Sequence, residues 1–321
     1  MDTYKAASTA ENEKPRPVAP STIKKPRPVA IWIALFTLYI VWGSTYLAIR
    51  YAVQDLPPFL MSGVRALIAG GLLYAWMRAR GDAAPSRLEW RSAAIVGVLL
   101  LVGGSGGVAW AGRRVASGVS SLLVGTMPLW VVLFDAVRPG GRRPGWRAIV
   151  GVVMGFAGGV VLLNPTQSGG DVESIDLLGA AAVLLAVFLW SIGSLYSRSA
   201  PLHSSSLLST AMEMLVGGAA LIFLDVLSGQ WGQLNLAAVS ARSWWAFAYL
   251  TVFGSLIGFT TYTWLLRVAP TPLVSTYAYV NPLVAILLGH FMGGELLTAR
   301  ILVAAAVIVG AVALITATDR F

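Results

Sequence analysis

Arg65 and Glu213 place a charge near the middle of two long apolar stretches, 148 residues apart. A charge inside such a stretch costs free energy in a membrane, so each side chain should face the protein interior, water or a partner. A guanidinium suits a carboxylate ligand, and a carboxylate suits an ammonium group or a proton. The alternative is that hydroxyls and backbone carbonyls hold both charges, which then stabilise helix packing.

Aromatic and hydroxyl side chains form a second group of candidate ligand contacts. Trp190, Ser191, Ser194 and Ser197 follow the spacing of three and four residues that aligns side chains on one helix face. With Trp42, this stripe predicts a mostly apolar pocket for a small amphipathic metabolite. Packing of the rings without any ligand is the alternative. The candidate binding residues are Trp42, Thr45, Tyr46, Arg65, Trp130, Trp190, Ser194, Glu213, Tyr262, Tyr277, Tyr279 and Asn281.

Residues for catalysis or metal binding are scarce. There is no cysteine, and His203 and His290 are the only histidines, so we expect no metal site and no cofactor. Gly103–Gly106 matches the Gly-X-Ser-Gly motif of intramembrane serine proteases, but its serine would need His290 as the base. An intramembrane hydrolase is thus the least favoured interpretation, and the absence of a Walker motif excludes direct ATP coupling in this chain.

Composition identifies the elements that must position these residues. Of 321 residues, 57% are hydrophobic and 12% charged, which excludes an ordinary water-soluble enzyme. Apolar runs of roughly 20 residues are long enough as helices to cross a bilayer. The predicted spans are 31–50, 58–77, 92–112, 116–136, 147–164, 177–197, 204–226, 243–266, 271–291 and 299–317. The expected fold is an all-α polytopic membrane protein with ten transmembrane helices.

The positions of basic residues predict the orientation. Most of the 23 lysines and arginines fall in the tail and in alternate loops, so the positive-inside rule places both termini in the cytoplasm. Arg113 and Arg114 are the main exceptions. Asp135, Asp225 and His290 lie near predicted helix ends, where contact with headgroup water is inexpensive. Residues 1–30 read as a disordered basic tail, either a solvated linker or a tether to anionic lipid; the net charge of +9 therefore does not indicate nucleic acid.

An internal repeat divides the chain at residues 31–166 and 177–318. Trp42–Arg50 matches Trp190–Arg198 at an offset of 148 residues, and Met127–Leu129 matches Asn281–Leu283 at 154. Each half holds five spans, and five is odd, so the halves should be inverted relative to each other. Inverted repeats are a recurrent plan of secondary transporters.

Small residues and prolines indicate bends and close packing. Pro128 and Pro282 should each kink a helix, and we expect hinges at Gly125, Pro128, Pro282 and Gly289, with static kinks as the alternative. Glycines at every fourth position from 151 to 159 in span 5, and small residues 306 and 310 in span 10, predict close packing of these spans. We expect spans 5 and 10 to pack against each other, with a homodimer interface as the alternative.

The sequence resembles the drug/metabolite transporter superfamily in its ten-helix form with two EamA domains. The resemblance rests on Trp42-Gly43, on Arg65 in a Gly-rich span, on the Pro128 and Pro282 helices, and on Gly294-Glu295 before span 10. Within the superfamily it is similar to amino-acid and metabolite exporters of bacterial inner membranes, among them the YddG- and YedA-like groups. It departs from many relatives after the fourth helix, where Gly140-Gly141-Arg142 replaces a glutamate.

The resemblance implies a secondary transporter that exports small metabolites, amino acids first and aromatic ones among them, by alternating access. A passive channel or facilitator for small polar solutes is the alternative. The expected partners are a small-molecule substrate and membrane lipid, with no nucleic acid. We expect a monomer in the bacterial inner membrane, with a homodimer as the alternative.

Overall fold

The computed structural model describes residues 27–137, 144–163 and 175–318. This part of the chain is helical and contains no strand. Its α-helices are α1 (Pro28–Asp55), α2 (Pro58–Ala79), α3 (Arg87–Gly97), α4 (Gly107–Ala111), α5 (Ser117–Val124), α6 (Met127–Val137), α7 (Trp146–Leu163), α8 (Leu177–Ser197), α9 (Ser206–Leu227), α10 (Ala241–Tyr249), α11 (Thr260–Val268), α12 (Thr271–Val274), α13 (Tyr277–Phe291) and α14 (Ala299–Thr318). Two π-helical segments, Val98–Gly106 and Leu250–Phe259, and short 3-10 helices at Gln230–Gln233 and Leu236–Ala238 complete the fold.

Within the described ranges, eight helices are long and apolar enough to cross a membrane. Two of them, Arg87–Ala111 and Ala241–Val268, contain a π-helical segment between two α-helices. Two further apolar stretches, Val280–Phe291 within α13 and Ala299–Leu314 within α14, follow near the end of the chain. The all-helical fold is confirmed, whereas ten spans in two inverted repeats remain a prediction.

Helix starts carry the residues that favour them. The Ser86 hydroxyl accepts a hydrogen bond from the Glu89 amide (3.3 Å), and the Glu89 carboxylate accepts one from the Ser86 amide (2.6 Å), which forms a capping box before α3. Asp176 caps α8 by accepting a hydrogen bond from the Gly179 amide (2.7 Å), and this bond lowers the pKa of Asp176. Polar side chains thus mark where the chain re-enters apolar surroundings.

Helices α2 and α9 pack closely because glycines let their backbones approach. A methyl group on Gly63 would lie 2.9 Å from the Gly218 carbonyl oxygen, and one on Gly218 would lie 3.0 Å from the Gly63 carbonyl oxygen. Farther along the same pair, a methyl group on Gly70 would lie 3.0 Å from the Ala211 carbonyl oxygen. These helices are predicted spans 2 and 7, so the bundle centre joins corresponding elements of the two halves.

Helices α7 and α14, predicted spans 5 and 10, also pack against each other, as the small-residue spacing predicts. The contact is made by a different glycine from those expected. A methyl group on Gly158 would lie 2.8 Å from the Ile308 side chain, whereas one on Gly159 or Gly310 would have no neighbour within 4 Å. Gly155, one of the predicted glycines, packs on α6 instead, where a methyl group would lie 2.6 Å from the Leu129 side chain.

The α-helix is interrupted by two residues within each of predicted spans 4 and 9, the spans in which the sequence predicted kinks. α5 ends at Val124 and α6 begins at Met127, while α12 ends at Val274 and α13 begins at Tyr277. At each break a threonine hydroxyl donates to the carbonyl three residues earlier: Thr126 to Leu123 and Thr276 to Leu273, both at 2.6 Å. These bonds satisfy carbonyls at the helix end.

The prolines do not occupy matching positions relative to these breaks. Pro128 is the second residue of α6, where its missing amide costs little, and the helix is interrupted directly before it. Pro282 lies inside α13. The two threonines are 150 residues apart, so the sequence match of the prolines at 154 does not align the breaks. Whether Gly125, Pro128, Pro282 and Gly289 act as hinges stays a prediction.

At the end of the bundle where α1 ends, here called the Asp55 end, carboxylates bind helix N-termini. Asp225 is fully buried and accepts a hydrogen bond from the Leu60 amide (3.1 Å) in the first turn of α2. The expectation that Asp225 contacts headgroup water is therefore wrong, because it caps another helix. Asp55 likewise accepts hydrogen bonds from the Ser240 amide (2.9 Å) and the Ser243 hydroxyl (2.7 Å) before and within α10.

Arg113, an exception to the predicted charge distribution, caps the C-terminus of α1 at the Asp55 end. Its guanidinium donates to the carbonyl oxygens of Val53 (2.6 Å) and Leu56 (3.0 Å), where α1 ends. Cations at a helix C-terminus interact favourably with its unpaired carbonyls. Arg114 pairs with Asp176 at 3.1 Å. Both arginines are therefore accounted for by local partners.

Candidate functional site

A central cavity, partly open to solvent, lies between the helices. It is lined from both predicted halves, by helices α1, α2, α8 and α9 and by both π-helical segments. The predicted binding residues on its wall are Trp42, Thr45, Tyr46, Arg65, Trp190 and Tyr277. The structure therefore brings together, in one cavity, half of the residues that the sequence indicated.

Aromatic rings form one wall of this cavity around Trp42. The Trp42 ring centroid lies 5.5 Å from that of Trp190 and 5.3 Å from that of Tyr277, both edge to face. Tyr262 packs behind them, 4.9 Å from Trp42, and its hydroxyl accepts a hydrogen bond from the Trp190 indole (3.0 Å). Edge-to-face contacts fix the ring orientations and leave π faces for an apolar ligand.

Two glycines make room for the indoles. A methyl group on Gly104 would lie 2.3 Å from Cε3 of Trp190, and one on Gly258 would lie 2.4 Å from Nε1 of Trp42. Any larger residue at either position would displace an indole. The glycines of spans 3 and 8 therefore shape the aromatic wall.

Arg65 is the charged group of the cavity wall. Its side chain is buried, and its guanidinium donates to the hydroxyl oxygens of Ser105 (2.5 Å) and Ser255 (3.1 Å). Its Nε is also buried and has no hydrogen-bond partner among the described residues. A guanidinium carries five N–H donors, and two of those of Arg65 donate to these serines, while the residue lines the cavity.

Ser105 and Ser255 were not identified as binding residues from the sequence. Each lies in a π-helical segment and follows a glycine, in Gly104-Ser105 and Gly254-Ser255, 150 residues apart. π-Helical turns often occur at functional sites, because the extra residue per turn redirects side chains. The matching Gly-Ser pairs were the available signal. The sequence instead suggested Ser105 as a nucleophile, but its hydroxyl accepts a hydrogen bond from a guanidinium.

Several predicted binding residues lie outside the cavity wall. Trp130 packs on Phe188 (5.2 Å between centroids) and Phe156 (5.6 Å) instead. Ser194 binds the Tyr262 hydroxyl at 2.7 Å, behind the aromatic wall. The amide NH2 of Asn281, assigned from its neighbouring acceptors, faces the carbonyl oxygens of Tyr39 (3.1 Å) and Tyr277 (3.2 Å). The Tyr279 side chain lies outside the described part of the structure.

Glu213 is buried but does not line the cavity. Its Oε2 has no hydrogen-bond partner among the residues described. Arg267 acts on it electrostatically, while the Arg267 guanidinium donates to the carbonyl oxygens of His203 (3.0 Å) and Ser204 (3.3 Å). Arg65 and Glu213 occupy equivalent positions of the internal repeat, but their surroundings in the structure differ.

A second polar cluster lies at the Asp55 end, around Glu295. Its carboxylate accepts hydrogen bonds from the Ser117 amide (2.8 Å) and hydroxyl (2.6 Å), from the Gly118 amide (3.0 Å) and from the Arg50 guanidinium. Burial raises the pKa of Glu295, but these bonds outweigh it and the pKa lies below its ordinary value. Gly289 permits this contact, because a methyl group there would lie 2.5 Å from Glu295 Oε2. Glu295 thus joins the loop before α14 to α1 and α5.

The sequence profile of the EamA-like transporter family matches residues 29–164 and 177–317. The chain belongs to this family. The predicted resemblance is therefore confirmed, and the protein is a membrane transporter of the EamA type. It is 39% identical over 285 residues to the uncharacterized inner membrane transporter YedA of Escherichia coli strain K12, covering 88% of this chain and 89% of YedA.

Other relatives are more distant. The uncharacterized transporter YoaV of Bacillus subtilis is 24% identical over 291 residues, which cover 87% of this chain and 94% of YoaV. A solved crystal structure superposes with a TM-score of 0.64 at 24% identity, covering 91% of this chain and 98% of that one. This likeness establishes the shared fold and leaves the substrate undetermined.

Proposed function

We propose that this EamA-type protein exports small carboxylate-bearing metabolites, amino acids and aromatic ones among them, by alternating access. The observation that carries the proposal is Arg65, a buried cation between Ser105 and Ser255 in an otherwise apolar, aromatic cavity. A guanidinium in such a site binds a carboxylate strongly, because little water competes and two parallel hydrogen bonds can form. The rings of Trp42 and Trp190 suit an apolar or aromatic body.

The packing of α2 on α9 supports two inverted repeats. At the sequence offset of 148, Gly63 corresponds to Ala211 and Gly70 corresponds to Gly218. The contact of Gly63 with Gly218 therefore corresponds to the contact of Gly70 with Ala211, and both are close. Reciprocal contacts of this kind are what a two-fold relation produces.

Two further observations agree with this arrangement. The family profile matches two segments, 29–164 and 177–317. Two corresponding helices, α7 and α14, pack on each other. Ten spans in two inverted repeats would allow the halves to exchange conformations around the Arg65 cavity.

The Glu295 cluster is the proposed gate on the non-cytoplasmic side. Opening that side requires the loop before α14 to separate from α1 or α5, which breaks the contacts of Glu295 with Arg50 or with Ser117 and Gly118. Hydrogen bonds to a charged group contribute about 1.5–3 kcal/mol each, so the closed state is held firmly but reversibly. Substrate binding would have to offset this difference between states.

The location follows the relatives and the charge pattern. YedA is named an inner membrane transporter, and the distribution of basic residues supports cytoplasmic termini. We propose a monomeric multi-pass protein of the bacterial inner membrane. A passive channel or facilitator is the alternative function.

Uptake into proteoliposomes tests the proposal. Labelled tryptophan, phenylalanine, threonine and methionine are supplied with and without a pH gradient, and protein-free vesicles serve as the blank. We expect saturable uptake, which trans-side substrate accelerates. Flux that rises linearly with concentration and shows no trans-acceleration would indicate a channel, and no flux from folded protein would refute amino-acid transport. The response to the gradient decides between proton coupling and facilitated diffusion.

A further inference from the structure

Charge in the central cavity is one-sided. The residues that line it include one charged side chain, Arg65, and no aspartate or glutamate. In the described part of the chain, Arg65 forms no ion pair; its guanidinium donates to the neutral hydroxyls of Ser105 and Ser255. A buried cation without a counter-charge favours any ligand that supplies one.

The acidic residue that could have balanced an ammonium group is elsewhere. Glu213 does not line the cavity and interacts electrostatically with Arg267. The hydroxyls on the wall are partly engaged, since Thr45 donates to the Trp42 carbonyl oxygen (2.7 Å) and Tyr277 donates to Met127 Sδ (2.7 Å). An α-ammonium group would therefore meet ring faces and hydroxyls but no carboxylate.

From this asymmetry, which rests on the proposed transport function, we infer that the site recognises the carboxylate of its substrate and does not require the α-ammonium group. The substrate class is then apolar and aromatic monocarboxylates, with amino acids as one subset. The terminal N–H groups of Arg65 that do not donate to Ser105 or Ser255 bind the carboxylate, and the rings of Trp42, Trp190 and Tyr277 contact the body. A ligand that carries only an ammonium group would be repelled by Arg65.

Three ligands that share a phenylethyl body distinguish the contribution of the carboxylate from that of the ammonium group. Isothermal titration of the detergent-purified wild-type protein measures the binding of phenylalanine, of 3-phenylpropionate, which lacks the ammonium group, and of phenethylamine, which lacks the carboxylate. We expect 3-phenylpropionate to bind with a Kd no more than about threefold above that of phenylalanine. Phenethylamine should bind at least tenfold more weakly, the order of effect of a lost hydrogen bond to a charged group.

Variants assign the effect to particular residues. Arg65→Gln should weaken 3-phenylpropionate at least tenfold, whereas Arg78→Gln, on the exposed end of the same helix, should leave it unchanged. Glu213→Gln should leave the ratio of the two Kd values, for phenylalanine and 3-phenylpropionate, unchanged. Size-exclusion profiles establish that each variant is folded. If a variant does not fold, the comparison of the three ligands on the wild-type protein still tests the inference.

The outcomes distinguish this inference from the proposed function. Binding of phenylalanine and phenethylamine without 3-phenylpropionate would overturn the inference and leave amino-acid transport standing. A Glu213→Gln variant that weakens the binding of phenylalanine but not that of 3-phenylpropionate would also overturn it, because Glu213 would then bind the ammonium group. If folded wild-type protein binds none of the three ligands, both proposals fail.

Discussion

Gly104→Ala tests whether the central cavity depends on the exact position of the Trp190 indole. The added methyl group would lie 2.3 Å from Cε3 of Trp190 and 3.2 Å from Cδ2 and Cζ3. Carbon atoms in ordinary contact are about 3.5 Å apart, so the ring has to move by about 1 Å. Such overpacking costs about 1–3 kcal/mol of folding stability. The movement also disturbs the 3.0 Å hydrogen bond from Trp190 to Tyr262 and the edge contact with Trp42.

Thermal unfolding in detergent and isothermal titration with phenylalanine measure the two consequences. We expect Gly104→Ala to unfold at a lower temperature and to bind at least several-fold more weakly. Gly310→Ala is the matched control, because a methyl group there has no neighbour within 4 Å. If the two variants unfold and bind alike, the aromatic wall does not have the described geometry and the reasoning is refuted.

Other contacts give further predictions. Ser105→Ala and Ser255→Ala should each lower the affinity for a carboxylate ligand several-fold in titrations, because each removes a hydrogen bond that orients Arg65. Asp225→Ala should cost about 1–3 kcal/mol in thermal unfolding, because the Leu60 amide loses its acceptor, and unchanged stability would contradict this. The pKa of Glu295 is depressed, so its contacts should be intact above about pH 4.5 and lost as pH falls through the lower folded value. Acid unfolding followed by fluorescence should show this loss in wild type and lack it in Glu295→Gln.

Some of the site could be predicted because its residues conflict with their local surroundings. Arg65 is a charge in an apolar span, and a charge in that position must face the interior or a partner. Trp42 and Trp190 coincide when the two halves are superposed at 148 residues. These signals depend only on residue type and spacing, so the sequence was sufficient to indicate them.

Other features depend on geometry that spacing does not encode. Ser105 and Ser255 reach Arg65 from π-helical segments, and a helix with 3.6 residues per turn gives no reason to place them there. Trp130 packs on Phe156 and Phe188 and does not line the cavity. Glu213 shares its repeat position with Arg65, yet Arg65 lines the cavity beside Ser105 and Ser255, whereas Glu213 lies outside the cavity wall near Arg267.

The breaks in predicted spans 4 and 9 lie in the spans that the prolines indicated, but their exact positions were not predictable from the prolines. The Pro128 and Pro282 segments match well in sequence, but the chain breaks at Thr126 and Thr276. A threonine hydroxyl can bond a preceding carbonyl within a continuous helix as well as at its end, so these threonines gave no distinct signal.

The most direct test of the account compares saturable uptake of labelled phenylalanine in proteoliposomes of wild type, Arg65→Gln and Arg78→Gln. We predict saturable uptake by wild type and Arg78→Gln, and at least a tenfold lower initial rate for folded, correctly inserted Arg65→Gln. Equal saturable uptake by all three proteins would contradict the assignment of Arg65 as the carboxylate-binding residue of the transport site.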